Sequence, residues 1–443
     1  MKHFYPAHRQ ALKRFHEVRP RKPQAAALLI VSILLSNPIN AAIDEATLQK
    51  LIEQVAALTE KVERLEESDK QLREENIALR KTVAIPTAQP TLQSTAQPTA
   101  SNRKLAWAEK LKVKGDMRYR YENIDDELKA QDRNRSRIRA RIEVQAQVNE
   151  TWKVGLGLAT GSHDPVSSNQ TLGAGGSAKD INLDLAYFDW SGLNNTHLIG
   201  GKFKNPFYTP AKHSLIWDGD YRPEGLAAKY DNGTWFANAA FLYLESDDKA
   251  GTQDAETIWG TQFGFRRELS ANSQFIIGLS YYNLPVAGST TFFGDADDGF
   301  GNTLVTKNGE LVYQNNYEEL ELFGELKFRL GQLPASVFFD WVENQDADAN
   351  ETAWAAGFTL GAAKKPGSWQ LGYTYQDLEA DAVFGLTTDS DFAGGGTNGR
   401  GHIIKTAYAL DKHVVFAINY FINEKGDDKT DFERLQMDLK LKY

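Results

Sequence analysis

Sixteen segments between Lys110 and Tyr443 set apolar and polar side chains on alternate residues, and the stretches joining them are by turns short and long. Period two is the repeat of a β-strand, because successive side chains leave opposite faces. In the last segment Leu435, Met437, Leu439, Leu441 and Tyr443 share one face, while Gln436, Asp438, Lys440 and Lys442 share the other. Lys110–Glu122 sets Leu111, Val113, Met117, Tyr119 and Tyr121 against Lys112, Lys114, Asp116, Arg118 and Arg120. Arg137–Val148 sets Ile138, Ala140, Ile142 and Val144 against Arg137, Arg139, Arg141 and Glu143.

The same pattern predicts strands over Trp152–Leu158, Ile181–Asp189, Thr196–Phe203, Gly225–Tyr230, Trp235–Tyr243, Ile258–Arg267 and Gln274–Tyr282. It continues over Glu319–Leu330, Ala335–Val342, Thr352–Leu360, Ser368–Gln376, His402–Ala409, Val414–Ile422 and Glu433–Tyr443. Seven short connections interleave with eight long ones, the short ones including Asn149–Thr151, Asp231–Thr234 and Asp411-Lys412. A soluble sandwich has no reason to sort loop length in this way. An up-and-down barrel in a membrane does, with short turns at one end and long loops at the other. Arg137, Arg139 and Arg141 could not share a dry core unpaired. The expected fold is therefore all-β: a 16-stranded antiparallel transmembrane β-barrel, its apolar face toward outer-membrane lipid and its polar face toward a wet lumen. Leu242, Leu244, Ile276 and Phe338 fall on inward faces. Either a loop folded into the lumen covers them, or the register there differs.

What precedes the barrel sets its compartment. Residues 1–42 read as a signal peptide: a basic stretch with Lys2, Arg9, Lys13, Arg14, Arg19, Arg21 and Lys22, the apolar run Ala25–Leu35, then small residues at Ala41 and Ala42. Eleven apolar residues are too few for a helix to span a bilayer. Residues 43–83 carry a heptad seam through Leu48, Leu51, Val55, Leu58, Val62, Leu65, Leu72, Leu79 and Val83, with Asp69 and Asn76 at the two remaining seam positions. That predicts an α-helical coiled coil in the periplasm and an oligomer. Residues 84–103 are a Pro/Thr/Gln linker, and 104–443 form the barrel. The chain has no cysteine and a formal charge of −9, which argues against nucleic acid as a partner.

Several segments resemble the putative porin family of Gram-negative outer membranes, whose members join an N-terminal coiled coil to a barrel. They are Trp107–Tyr121, Arg137–Ile142, Asp164–Gly173, Gly201–Phe207 and Ile216–Asp220. The resemblance covers about Lys104–Tyr443. It implies passive diffusion of ions and small hydrophilic solutes across the outer membrane by a homotrimer. No cofactor is expected, and the missing catalytic constellation argues against an outer-membrane barrel enzyme. A structural alternative is a barrel that anchors a periplasmic coiled coil, in contact with the cell wall and with little transport.

Two groups of residues are candidates for the pore. Lys112, Lys114, Arg118, Arg120, Arg137, Arg139 and Arg141 form a basic ladder on the inward faces of two neighbouring strands. Such a ladder attracts anions, or else pairs with acids from a loop. The third long connection, Lys204–Glu224, holds Asp218, Asp220 and Glu224, and by resemblance it is the one that folds into the lumen as a constriction. Other chemistry has thin support. Ser162-His163-Asp164 contains triad side chains, but adjacent residues of one loop cannot reach triad geometry. Asp295, Asp297 and Asp298 lack the glutamate that a calcium loop needs, since Thr306 stands at that position. No metal site is expected.

Overall fold

The computed structural model describes Glu67, residues 110–247 and residues 256–443. The chain divides at Ala96 into two units, and the account below concerns the second. The signal peptide, coiled coil and linker expected from the sequence lie outside the described residues, apart from Glu67.

Sixteen long strands close on themselves as one antiparallel barrel. In chain order they are β1 Leu111–Asp126, β2 Arg133–Gln147, β3 Trp152–Thr160, β4 Ile181–Leu193, β5 Thr196–Lys202, β6 Glu224–Asp231, β7 Trp235–Glu245 and β8 Glu256–Ser270. They continue as β9 Ser273–Leu284, β10 Tyr317–Leu330, β11 Leu333–Asn344, β12 Thr352–Gly361, β13 Trp369–Leu378, β14 Gly399–Ala409, β15 Val414–Lys425 and β16 Thr430–Lys442. Each pairs with its neighbours in sequence, and β1 pairs with β16 from Asp116↔Lys442 to Asp126↔Phe432. Closure leaves no unpaired strand edge in lipid. All sixteen predicted segments are strands. A two-residue strand, Gln170–Thr171, adds to β2, and Leu304–Lys307 pairs with Glu310–Tyr313 as a separate hairpin.

Strand faces follow the period. Val113, Met117 and Tyr119 of β1 are exposed on the outside, while Arg118 and Arg120 are buried on the inside. Aromatic side chains collect at both ends of the outer wall. Trp152, Trp190 and Trp235 lie beside the short turns, and Trp259, Tyr281, Trp354 and Tyr375 lie beside the long connections. Two aromatic girdles around an apolar band are what a membrane with two interfaces selects. At the seam, Gly115 N–H donates to the Tyr443 carbonyl at 2.9 Å and Tyr443 N–H returns to Gly115 at 3.1 Å. A Cβ on Gly115 would come within 2.5 Å of both the Tyr443 ring and the Arg141 carbonyl, so glycine is required at this approach.

The structure corrects the reading of the connections. Residues 127–132, 345–351 and 426–429 are turns of seven residues or fewer, whereas the sequence reading made all three long. The flanking strands run several residues past their apolar bands. Their pairing continues there between polar residues, and Lys425 reaches Asp126 at 2.8 Å between β15 and β1. Periodicity of hydrophobicity fades where both faces of a strand meet water, so it underestimates strand length.

Candidate functional site

The barrel interior is occupied by its own connections. Residues 203–223, the third outside connection, follow β5. Residues 379–398, the seventh, follow β13. The two pack together and against the inner wall in one apolar cluster that includes Phe207, Trp217, Leu242, Tyr282, Phe338 and Phe384. This accounts for three of the inward apolar residues: Leu242 and Phe338 lie in the cluster and Leu244 packs on it, while Ile276 is buried in a smaller cluster with Phe236 and Phe323, against Tyr208 of the third connection. Their register is as read, and loops cover them.

Each of the two connections spans from a basic wall to an acidic wall. On the basic side, Asp220 accepts from Arg139 at 3.1 Å and from Arg141 at 2.8 Å, and both arginines also hold Asp116. On the far side of the barrel, Tyr208 O–H and Ala211 N–H of the same connection donate to Glu325 of β10, the second at 3.1 Å. The seventh connection repeats the arrangement. Asp391 pairs with Arg120 of β1 at 3.1 Å and with Arg434 of β16 at 2.8 Å. At its other end, Phe384 N–H donates to Glu319 of β10 at 2.9 Å. Glu319, Glu321 and Glu325 of β10 and Asp340 of β11 form this acidic wall, and all four are buried. Sequence reasoning missed it, although the inward spacing of Glu319, Glu321 and Glu325 on one predicted strand was a usable signal.

The basic ladder is mostly committed to clamping loops. Arg118 donates to Asn169 of the second connection, and Arg137 reaches Ser167 of the same connection at 3.5 Å. Arg120, Arg139 and Arg141 hold the seventh and third connections, as described. Lys112 is exposed, and Lys114 pairs with Glu143 at 3.3 Å. The three loop acids separate. Asp220 joins the arginines. Asp218 accepts from the backbone N–H of Asp220 at 2.6 Å and of Ser390 at 3.1 Å, and so ties the two connections together. Glu224 is exposed and pairs with Lys202 at 2.7 Å, apart from the arginines.

Electrostatics in the loops follow these contacts. Burial opposes ionisation of Asp220, but the guanidiniums of Arg139, Arg141 and Arg222 hold its carboxyl well below the usual carboxylate range. Asp218 is driven the other way, by burial and then by the nearby charges of Asp389 and Asp220. His213 lies 2.7 Å from Gln376 Oε1, and burial aided by the Lys405 ammonium pushes its pKa down to about 3. It is a neutral donor at physiological pH.

Two cavities remain beside the third connection. One of about 490 Å3 opens toward the long connections and touches Ser162, His163 and Asp220. The other, of about 710 Å3, lies toward the short turns and touches Lys114, Trp217 and Lys442. Both reach Asp184 and Arg222, which pair at 3.4 Å. Ser162, His163 and Asp164 make no hydrogen-bonded relay among the described residues. Asp295 and Asp298 are engaged with each other's backbone, and no group of described residues has the makings of a metal site.

A family model described as Putative porin matches residues 125–290 and 295–443. The chain belongs to this porin family. No curated protein matches it in sequence. Among solved structures it is similar to Pseudomonas putida OprB at high pH, with a TM-score of 0.53 and 9 % identity over 78 % of this chain and 96 % of that one. It is also similar to a Salmonella typhi OmpF complex with daunomycin, with a TM-score of 0.47 and 9 % identity over 75 % of this chain and 97 % of that one. A mutant of Rh. blastica porin follows, with a TM-score of 0.45 and 11 % identity over 75 % of this chain and all of that one. The likeness to OprB shows the fold. Family and barrel together imply a porin-like channel protein in the outer membrane.

Proposed function

We propose that this porin conducts ions and small hydrophilic solutes by passive diffusion along the wall formed by β2, β4 and the third connection. One observation carries the reading: the cavities of about 490 and 710 Å3 both lie against that connection and share Asp184 and Arg222 in their linings. A solute entering from the long-loop end passes Asp220, then the Asp184–Arg222 pair, then Lys114. Asp218 and Asp220 set the constriction by fixing the third connection, whereas Glu224 stands beside the entrance. The arginines hold the loops in place more than they face the solute. Field in the narrow, low-dielectric passage then selects among ions.

The test is conductance of the purified full-length protein in planar bilayers. Discrete ion steps support the channel. Their absence from a folded barrel favours the structural alternative, a barrel anchoring a periplasmic coiled coil against the cell wall.

Assembly is the second part of the proposal. The heptad seam of residues 43–83 holds an oligomer together from the periplasm, and the family resemblance makes that oligomer a homotrimer. Removing Ile43–Val83 is expected to release monomers on a native gel. An unchanged oligomer would place the association in the barrel wall instead.

A further inference from the structure

We propose that the cavity of about 710 Å3 on the short-turn side of the third connection binds small organic anions that carry a carboxylate on a planar ring. The inference rests on the channel reading and names the solute class that lingers inside it. The volume lies in the ordinary range for small-molecule sites.

Charge favours an anion. Six basic side chains line the cavity against four acidic ones. Most of the acids are already engaged. Asp116 is held by Arg139 and Arg141, Glu143 by Lys114 and Lys204, and Asp184 by Arg222. Asp218 has no basic partner, and its burial favours the protonated form. Lys212 and Lys442 are both exposed, and neither forms a salt bridge among the described residues. Two ammonium groups are therefore available at the rim.

Shape favours a ring. Phe207, Trp217 and Tyr221 line the same cavity in near-parallel succession. Their ring centroids are 5.8 and 5.7 Å apart and their planes are inclined by 20° and 19°. The three rings are largely buried, and the margins they turn to the cavity give it an apolar flank beside fixed cations, which suits a group that is flat and apolar at one end and anionic at the other. An anion without a ring makes no contact with that apolar flank. A neutral ring leaves the lysines unused.

The full-length protein in planar bilayers, carrying a potassium chloride current, tests this with three probes: benzoate, acetate and benzamide. Benzoate is expected to reduce the current at concentrations where acetate and benzamide do not. In the double variant Lys212→Gln/Lys442→Gln, the half-blocking concentration of benzoate is expected to rise about fivefold, from the loss of two solvent-accessible charge contacts. Equal effects of the three probes overturn the inference, as does a benzoate block untouched by the double variant. A barrel that carries no potassium chloride current defeats the channel reading itself. A conducting barrel indifferent to benzoate defeats only the anion site.

Discussion

Arg120 and Asp438 are direct partners across the seam between the first and last strands, and their side chains meet as a two-point pair at 2.7 and 3.0 Å. The pair is buried on the lumen side of the one junction that joins the two ends of the barrel sequence. Arg120 also holds Asp391 at 3.1 Å and approaches Glu122 at 3.9 Å. Its charge is therefore shared by three carboxylates from three elements.

Replacing one partner leaves the other charge buried. Asp438→Asn is expected to destabilise the barrel by about 3 kcal/mol, the low end for a broken buried pair because Arg120 keeps two partners. The loss should appear as a lower temperature at which the folded form, compact on gels run without boiling, converts to the unfolded mobility. No change would mean that backbone pairing alone carries the seam.

Two of the loop acids, Asp220 and Glu224, should differ sharply. Asp220→Asn leaves Arg139 and Arg141 sharing only Asp116, at a cost of about 3 kcal/mol to the attachment of the third connection. Single-channel conductance should rise and become noisier. Glu224→Gln removes an exposed pair and should leave conductance within experimental scatter. Equal behaviour of the two variants would contradict the clamping role of Asp220.

Acid should loosen the third connection through His213. A histidine whose pKa falls from 6.5 to about 3 on burial stabilises the seated loop at neutral pH, and that contribution is lost as pH falls below 6.5. Between pH 7 and pH 5 the loss is about 2 kcal/mol. Asp220 contributes no slope in this interval, because its carboxyl titrates below it. Asp218, raised by burial, opposes the trend, since it becomes easier to protonate in place. The measurement is the pH dependence of proteolysis within residues 203–223. In His213→Gln, which keeps a donor toward Gln376, the acid sensitivity should flatten.

Shortening the seventh connection to a tight turn should widen the pore. Phe384, Leu386 and Phe392 are buried inside the barrel, so their removal empties the volume that they fill. Conductance should increase, and Arg434, stripped of Asp391, should shift selectivity toward anions. An unaltered reversal potential in a salt gradient would exclude that second effect.

The strands were readable because lipid and water impose alternation on every pair of neighbouring residues, which is a local property of the chain. Leu435–Tyr443 displays it without interruption, and it pairs as read. The inward positions of Leu242 and Ile276 even signalled that something lies inside the barrel. The identity of the second occupant was not readable. Asp391 meets Arg120 from 271 residues away, and no periodicity links them. The apolar run Ala382-Val383-Phe384, set in a connection otherwise rich in glycine and polar residues, was the one local sign that this loop avoids water. Asp220 and Glu224 look alike in sequence, and only the path of the backbone between them sends one to the arginines and the other to Lys202.

The anchoring of the seventh connection also orders assembly in time. Asp391 needs Arg120 from the first strand and Arg434 from the last, while Phe384 needs Glu319 from the middle of the chain. Those three anchors stand in their final places only after the two chain ends have met. The connection is therefore fully anchored only in a closed cylinder, and its protection from protease is expected to report closure of the seam.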